Sequence, residues 1–281
     1  MIILRDISSV TAAISQARRE GKTVGFVPTM GFLHQGHLSL VRQARMENDL
    51  VVLSIFVNPI QFGVGEDYEE YPRDLDSDSS KAEEAGCDLI FYPTTAEMYP
   101  QGYATFVDVE RLTENLCGAS RPGHFRGVTT VVTKLFNIVK PHRAYFGQKD
   151  AQQVLTIQRM VQDLNMAVAV KIMPTVREAD GLALSSRNTY LSTAERAAAP
   201  ILYRSLLAVV AKITNGERDA NSLLTYLHDA ISAEPLAQID YISIVDTADI
   251  KPVSTIDGPT LIALAVRFGK TRLIDNIIVE V

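Results

Sequence analysis

Two histidines three residues apart in a glycine-containing turn, His34-Gln35-Gly36-His37, are the strongest chemical feature of this 281-residue chain. They are two of its five histidines, and the apolar β-branched run before them ends at Pro28. Gly31 and Gly36 let the backbone approach a ligand, and a helix starting near the second histidine offers unpaired N–H groups and a positive dipole end to phosphate. His34 and His37 can donate to oxygens whose negative charge grows during attack at phosphorus. The plain alternative is one histidine packed in a sheet and one solvated in a turn. A zinc site is weaker, because two histidines without flanking cysteines lack further ligands.

Three other loops carry polar groups at strand ends. Gln61, in Asn58-Pro59-Ile60-Gln61-Phe62-Gly63, has amide donors and an acceptor that could orient a small hydroxy acid without adding charge. In Phe146-Gly147-Gln148-Lys149-Asp150, Lys149 supplies a point charge for phosphate, and Asp150 either accepts from ribose hydroxyls or caps the next helix. Leu184-Ser185-Ser186-Arg187-Asn188 has two hydroxyls and a cation, the composition of a mobile clamp on a departing pyrophosphate. Arg121-Pro122-Gly123-His124-Phe125-Arg126 could hold an anion, with the roles of His124 and Arg126 open. The acidic positions from Glu66 to Asp78 read first as a solvated face.

The elements that must position these residues alternate strand with helix. Strands are expected over 23–27, 50–57, 88–92, 105–109, 143–146 and 167–173, and helices over 37–48, 75–86, 128–139 and 150–164. Near-continuous apolar strands in βα order predict an α/β, Rossmann-like, doubly wound parallel sheet, whose ligands lie beyond the carboxyl ends of the strands. From about residue 176 the pattern becomes two helices, 193–214 and 220–233, then strands at 239–245, 260–266 and 272–281, a smaller α+β domain. The expected domains are therefore 1–175 and 176–281.

Composition bounds the function. The net charge of −6 and pI of about 5.4 exclude a broad electrostatic nucleic-acid binder. The 47% hydrophobic content excludes disorder. Cys87 and Cys117 have neither zinc spacing nor the density of a disulfide scaffold and read as free thiols. No segment is expected to span a membrane, which places the protein in the cytoplasm without a membrane partner.

The stretch from Phe26 to Leu38 resembles the pantothenate synthetase family, a branch of the H-x-G-H nucleotidyltransferase superfamily, and the likeness continues through most of the chain. That resemblance implies ATP-dependent condensation of D-pantoate with β-alanine through pantoyl adenylate, with Mg²⁺ and a homodimer. It implies ATP binding by Met30, Gly31, Phe32, Leu33, His34, Gln35, Gly36 and His37, by Gly147, Gln148, Lys149 and Asp150, by Val176 through its backbone, and by Leu184, Ser185, Ser186 and Arg187. His34, His37, Lys149, Ser186 and Arg187 would act on the transferring phosphates. Pantoate would meet Gln61, Gln153, Met30, Val131 and Val132, with β-alanine near Gln61. Leu184 stands where methionine is expected, a change that keeps apolar volume. Asp78 matches an acidic position that would attend magnesium through water or phosphate only, and Ser77 replaces a carboxylate beside it. A nucleotidyltransferase that stops at nucleotidyl transfer and a nucleotide sensor without turnover are the competing readings; Gln61 and Gln153 favour the acid acceptor. A transfer-RNA ligase is disfavoured by the acidic charge.

Overall fold

The computed structural model describes residues 1–63 and 65–281. Two compact units emerge: Met1–Val109, Arg121–Gly147 and Thr156–Pro174 form the first, and Glu110–Ser120, Gln148–Leu155 and Thr175–Val281 the second.

The first unit contains β1 (Ile2–Leu4), α1 (Ile7–Arg19), β2 (Val24–Thr29), α2 (Gln35–Glu47), β3 (Leu50–Ile55), α3 (Leu75–Glu84), β4 (Leu89–Phe91) and α4 (Thr95–Met98). After a short α5 (Cys117–Ser120), which belongs to the second unit, it resumes with α6 (His124–Val139) and β5 (Arg143–Gly147). Helix α7 (Ala151–Asp163) leads to β6 (Ala169–Met173). All six strands pair in parallel in the order β1-β4-β3-β2-β5-β6. Val24, Phe26, Val51, Val52, Leu53, Ile90 and Phe91 are fully buried, as a sheet covered on both faces requires. Strand order reverses between β2 and β5, so the switch point lies where the histidine turn leaves β2. Pro28 is tolerated inside β2 because that strand meets β5 only at Gly25 and Phe26.

The elements differ from expectation in two ways. The run 105–109 is not a strand: Thr130 Oγ1 accepts from Val107 N at 2.9 Å and Thr129 Oγ1 donates to Val107 O at 2.7 Å. Hydroxyls on α6 satisfy the backbone groups that a neighbouring strand would otherwise take. Edge strand β1 and helix α1 are additions to the expected elements, since three residues at the N-terminus give too little periodicity for a strand.

The second unit holds α8 (Thr193–Ala198), α9 (Ile201–Thr214), α10 (Ala220–Ser232) and an antiparallel sheet β7 (Ala237–Asp246), β8 (Thr260–Phe268), β9 (Thr271–Val279), with β8 central. Alternate β8 residues serve different faces. Ile262, Leu264 and Val266 pack with Leu202, Leu206, Val209, Leu223 and Leu227 of the helices. Leu261 and Ala263 pack with Leu112, Leu116 and Ala151, which is why segments 110–120 and 148–155 belong to this unit rather than to the parallel sheet. The stretch Thr193–Thr214 is long and apolar enough to cross a membrane by length and composition alone. In the fold it is two helices meeting at Ala199 and Pro200, and Ala198, Leu202, Leu206, Val209 and Ile213 sit in the core.

Candidate active site

The H-x-G-H turn is held chiefly through its backbone. Thr29 Oγ1 donates to Ser54 O at 2.7 Å and receives Gly31 N at 3.2 Å. Gly31 has φ +89°, and a Cβ there would lie 2.9 Å from Asp78 Oδ2 and from Ile55 Cγ2, so only glycine fits. Phe32 follows at φ +52°, a rare conformation for a side-chain-bearing residue. Its N–H donates to Asp78 Oδ2 at 2.7 Å, and Leu33 N donates to Asp78 Oδ1 at 2.6 Å. Lys81 Nζ donates to Leu33 O at 3.1 Å.

At the start of α2 the two imidazoles cap their own helix. Gly36 N donates to His34 Nδ1 at 3.2 Å, and His34 N donates to His37 Nδ1 at 3.4 Å. The rings lie 4.0 Å apart between centroids. A ring nitrogen that accepts carries no proton, so these bonds place each neutral ring's proton on Nε2. The result is a pair of N–H donors beside a helix N-terminus, at the carboxyl end of a strand.

Asp78 is 1% exposed, and both its oxygens are engaged by the turn. Burial pushes its carboxyl above the usual range, against the Leu33 and Phe32 N–H bonds that lower it. Among the described residues no group of three or more His, Cys, Asp or Glu side chains is arranged to hold a metal ion. Both Asp78 oxygens are already taken by the Phe32 and Leu33 N–H groups, so the carboxylate braces the turn.

Gln61 closes a 3₁₀ turn, Pro59–Gln61, and is 9% exposed. Asn58 Nδ2 donates to Gln61 Oε1 at 3.1 Å and to Gly127 O at 3.1 Å, while Asn58 Oδ1 accepts from Tyr99 Oη at 2.8 Å. Gln61 Nε2 points at Met30 Sδ, 3.2 Å away. Asn58 thus fixes which end of the Gln61 amide faces Met30, a role that sequence reasoning misses although Asn58 lies in the same motif. His124 has a definite place: its Nδ1 is 2.9 Å from Gln61 O and Arg121 Nη1 is 3.1 Å from its Nε2. Arginine only donates, so the His124 proton is on Nδ1 and is given to the Gln61 carbonyl. Gly127 allows this proximity, since a Cβ there would sit 2.5 Å from Ile60 O. Arg126 instead rests over the Phe106 ring at 4.1 Å. Val131 and Val132 are buried on α6.

The second unit carries the other phosphate-type residues. Lys149 sits in the 3₁₀ turn Gln148–Asp150, with Nζ 3.7 Å from Asp150 Oδ1. Of the two glutamines that follow, Gln152 is structural: it donates to Leu112 O and Asn115 O, both at 2.8 Å, and accepts from Cys117 N at 2.9 Å. Gln153 remains the candidate ligand. Val176 and Leu184 face each other across a hairpin, with Leu184 N donating to Val176 O at 3.0 Å. Ser185 caps the 3₁₀ turn Ser186–Tyr190 by accepting from Arg187 N at 3.3 Å, and Ser186 is 9% exposed.

The chain matches the family described as Pantoate-beta-alanine ligase over residues 2–278. It is 63% identical over 281 residues, all of both chains, to a protein named pantothenate synthetase from Heliobacterium modesticaldum. To the one from Pelotomaculum thermopropionicum it is 58% identical over 278 residues, 99% of each chain. The fold is similar to a crystal structure of pantothenate synthetase from Thermus thermophilus, with a TM-score of 0.94 and 50% identity over 99% of each chain. It is also similar to a pantoate-beta-alanine ligase from Francisella tularensis complexed with beta-gamma ATP and beta-alanine, with a TM-score of 0.80 and 35% identity over 99% of this chain and 97% of that one. With that extent of matching sequence and fold around the H-x-G-H turn, this chain belongs to the pantoate-beta-alanine ligase family.

Proposed function

We infer that the ATP-dependent ligation of D-pantoate to β-alanine, giving pantothenate, AMP and pyrophosphate, is carried out by the residues of these turns. A carboxylate is a poor acyl donor, because oxide leaves badly. In the first step a pantoate carboxylate oxygen attacks the α-phosphorus of ATP, and the bond to the bridging β-phosphate oxygen breaks with its electron pair. Pantoyl adenylate and pyrophosphate result.

The Nε2–H groups of His34 and His37 stabilise charge on the α-phosphoryl oxygens, and the N-terminus of α2 adds its dipole. Lys149, Ser186 and Arg187 take the departing pyrophosphate. Met30, Gln61, Gln153, Val131 and Val132 receive pantoate, with the Gln61 amide orienting its hydroxyl groups. In the second step the neutral amine of β-alanine attacks the acyl carbon, the C–O bond to AMP breaks, and the amine proton passes to solvent. Both cysteines are buried, Cys117 against Tyr241 Oη at 3.2 Å, and neither belongs to these turns, so the adenylate is held without a covalent bond. Magnesium arrives on the nucleotide phosphates rather than on a protein carboxylate. The working assembly is a homodimer, the commonest symmetric form, in the cytoplasm.

The observation that carries this assignment is the pair of Nδ1 atoms accepting from the backbone of their own turn, which commits both Nε2–H groups to donation. The test is exchange of labelled pyrophosphate into ATP with D-pantoate present and β-alanine absent. Pantoate-dependent exchange is expected. Folded protein that gives neither exchange nor, on adding β-alanine, AMP would overturn the assignment.

A further inference from the structure

Strand β9 carries two adjacent polar residues inside the core of the second unit, Asp275 at 2% and Asn276 at 5% exposure. Their neighbours on β8 are Leu264 and Ala263, and nothing in the packing of a three-stranded sheet asks for polar groups there. Each is spent on a segment that contains nucleotide-type residues. The Asp275 carboxylate takes both Arg177 Nη atoms, at 2.6 and 2.8 Å, at the base of the hairpin that leads to Ser186 and Arg187. Asn276 Nδ2 donates twice, to Gln148 O at 3.0 Å and to Lys149 O at 2.8 Å.

We propose that Asn276 is a positioning residue for Lys149, fixing the 148–150 turn so that the ammonium is presented to the phosphates of ATP. The proposal rests on the phosphate role given to Lys149 above. Two successive carbonyls held by one nitrogen set the planes of both peptides that flank the Lys149 α-carbon, and with them the direction of its side chain. An amide of this length suits that role, because aspartate has no donor when ionised and serine has one hydrogen for two acceptors. A purely stabilising role explains the site poorly. Asn276 Oδ1 is buried with no hydrogen-bond partner, a penalty that offsets much of what its two donated bonds contribute to folding. The orientation is not interchangeable, because a flipped amide would turn that oxygen onto two carbonyl oxygens.

The test is pantoate-dependent pyrophosphate exchange in four full-length proteins: wild type, Asn276→Ala, Lys149→Ala and the double variant, each checked for folding by circular dichroism. Asn276→Ala should lower the exchange rate at least about tenfold, short of the ~10²-fold that a 1 Å misplacement can cost, and leave the pantoate KM within about twofold. In the Lys149→Ala background the same substitution should cost less than about twofold, because there is no ammonium left to position. An equal loss in both backgrounds, or a normal exchange rate in folded Asn276→Ala, would overturn the proposal while leaving the role of Lys149 intact. Full exchange by Lys149→Ala would instead remove that role, and the proposal with it. Should Asn276→Ala not fold, the nearly isosteric Asn276→Asp replaces it. Its exchange rate, relative to wild type, should recover in part as pH falls and the acid regains one proton to donate to one of the two carbonyls; a flat ratio across pH would count against positioning.

Discussion

The histidine turn of the parallel sheet and the lysine turn of the smaller unit serve the same nucleotide in the proposed mechanism, yet they are built differently. The first braces itself. Its imidazoles accept from their own backbone, and its outside brace, Asp78, comes from α3, 45 residues beyond Leu33. The second is braced from the far end of the chain: Asn276 reaches Lys149 O across 127 residues, while the adjacent Asp275 holds Arg177, at the base of the Ser186 hairpin, across 98. A turn whose chemistry and scaffold coincide leaves a compact motif, whereas a turn held by a distant strand leaves only its ligand residue visible.

The largest expected effect tests the self-braced turn. His37→Ala removes one preorganised donor and should lower adenylate formation about 10²–10³-fold without unfolding the protein. Near-normal pyrophosphate exchange from a folded variant would show that the turn does not act through its imidazoles. Asp78→Ala comes next. It strips a charged acceptor from two backbone N–H groups, each such bond contributing about 1.5–3 kcal/mol; with part of that sum offset by the cost of burying the carboxylate, stability should fall by about 2–4 kcal/mol and exchange by about tenfold. Because burial raises the Asp78 carboxyl in the folded state, its titration favours folding below the ordinary carboxylate range, and that contribution fades as pH rises through the raised value. Wild type should therefore exceed Asp78→Asn in urea stability by more at acid than at neutral pH. A gap that widened with rising pH would contradict the burial account, and magnesium-dependent stability lost in Asp78→Asn would restore a metal role.

What is legible in the sequence follows from the same contrast. The parallel sheet can be read because β2, β3 and β5 are apolar runs of five or six residues ending at turn residues. The His34 and Lys149 turns can be read because histidine, lysine and glycine at strand ends are informative by type. Asn58 stands in a recognisable motif without a visible role, since the partner that explains it, Tyr99 Oη, lies 41 residues away. Asn276 carries no signal at all: one amide in an apolar strand has meaning only once the fold brings Gln148 and Lys149 to it. The expected strand at 105–109 fails for a related reason, its backbone being claimed by two threonine hydroxyls that pattern reasoning treats as helix residues.

Smaller effects sharpen the account of Gln61. Gly127→Ala should cost about 1–3 kcal/mol, because the new methyl group meets backbone at Ile60 and Gln61 that has no rotamer to give. Since the displaced residue is Gln61, the KM for pantoate should rise while that for ATP stays within about twofold. A stable variant with unchanged pantoate KM would mean that the 58–62 segment yields without moving the amide. Steady-state kinetics and urea unfolding on the same preparation read both quantities.

Arg126→Ala should do least. Two residues after His124, and similarly placed for an anion by sequence, Arg126 is exposed, and its guanidinium lies 4.1 Å from the centroid of a Phe106 ring that is itself 41% exposed. A cation–π contact at such a site is worth about 0.5–1 kcal/mol, so thermal stability should drop slightly and pyrophosphate exchange should not change. His124→Ala, by contrast, removes the donor to the Gln61 carbonyl and should raise the pantoate KM. The two variants thus separate positions that composition alone could not. If Arg126→Ala instead cost tenfold in exchange, the guanidinium would have to leave Phe106 for a substrate oxygen, and the division between a braced loop and a solvated cation within one helix start would be wrong.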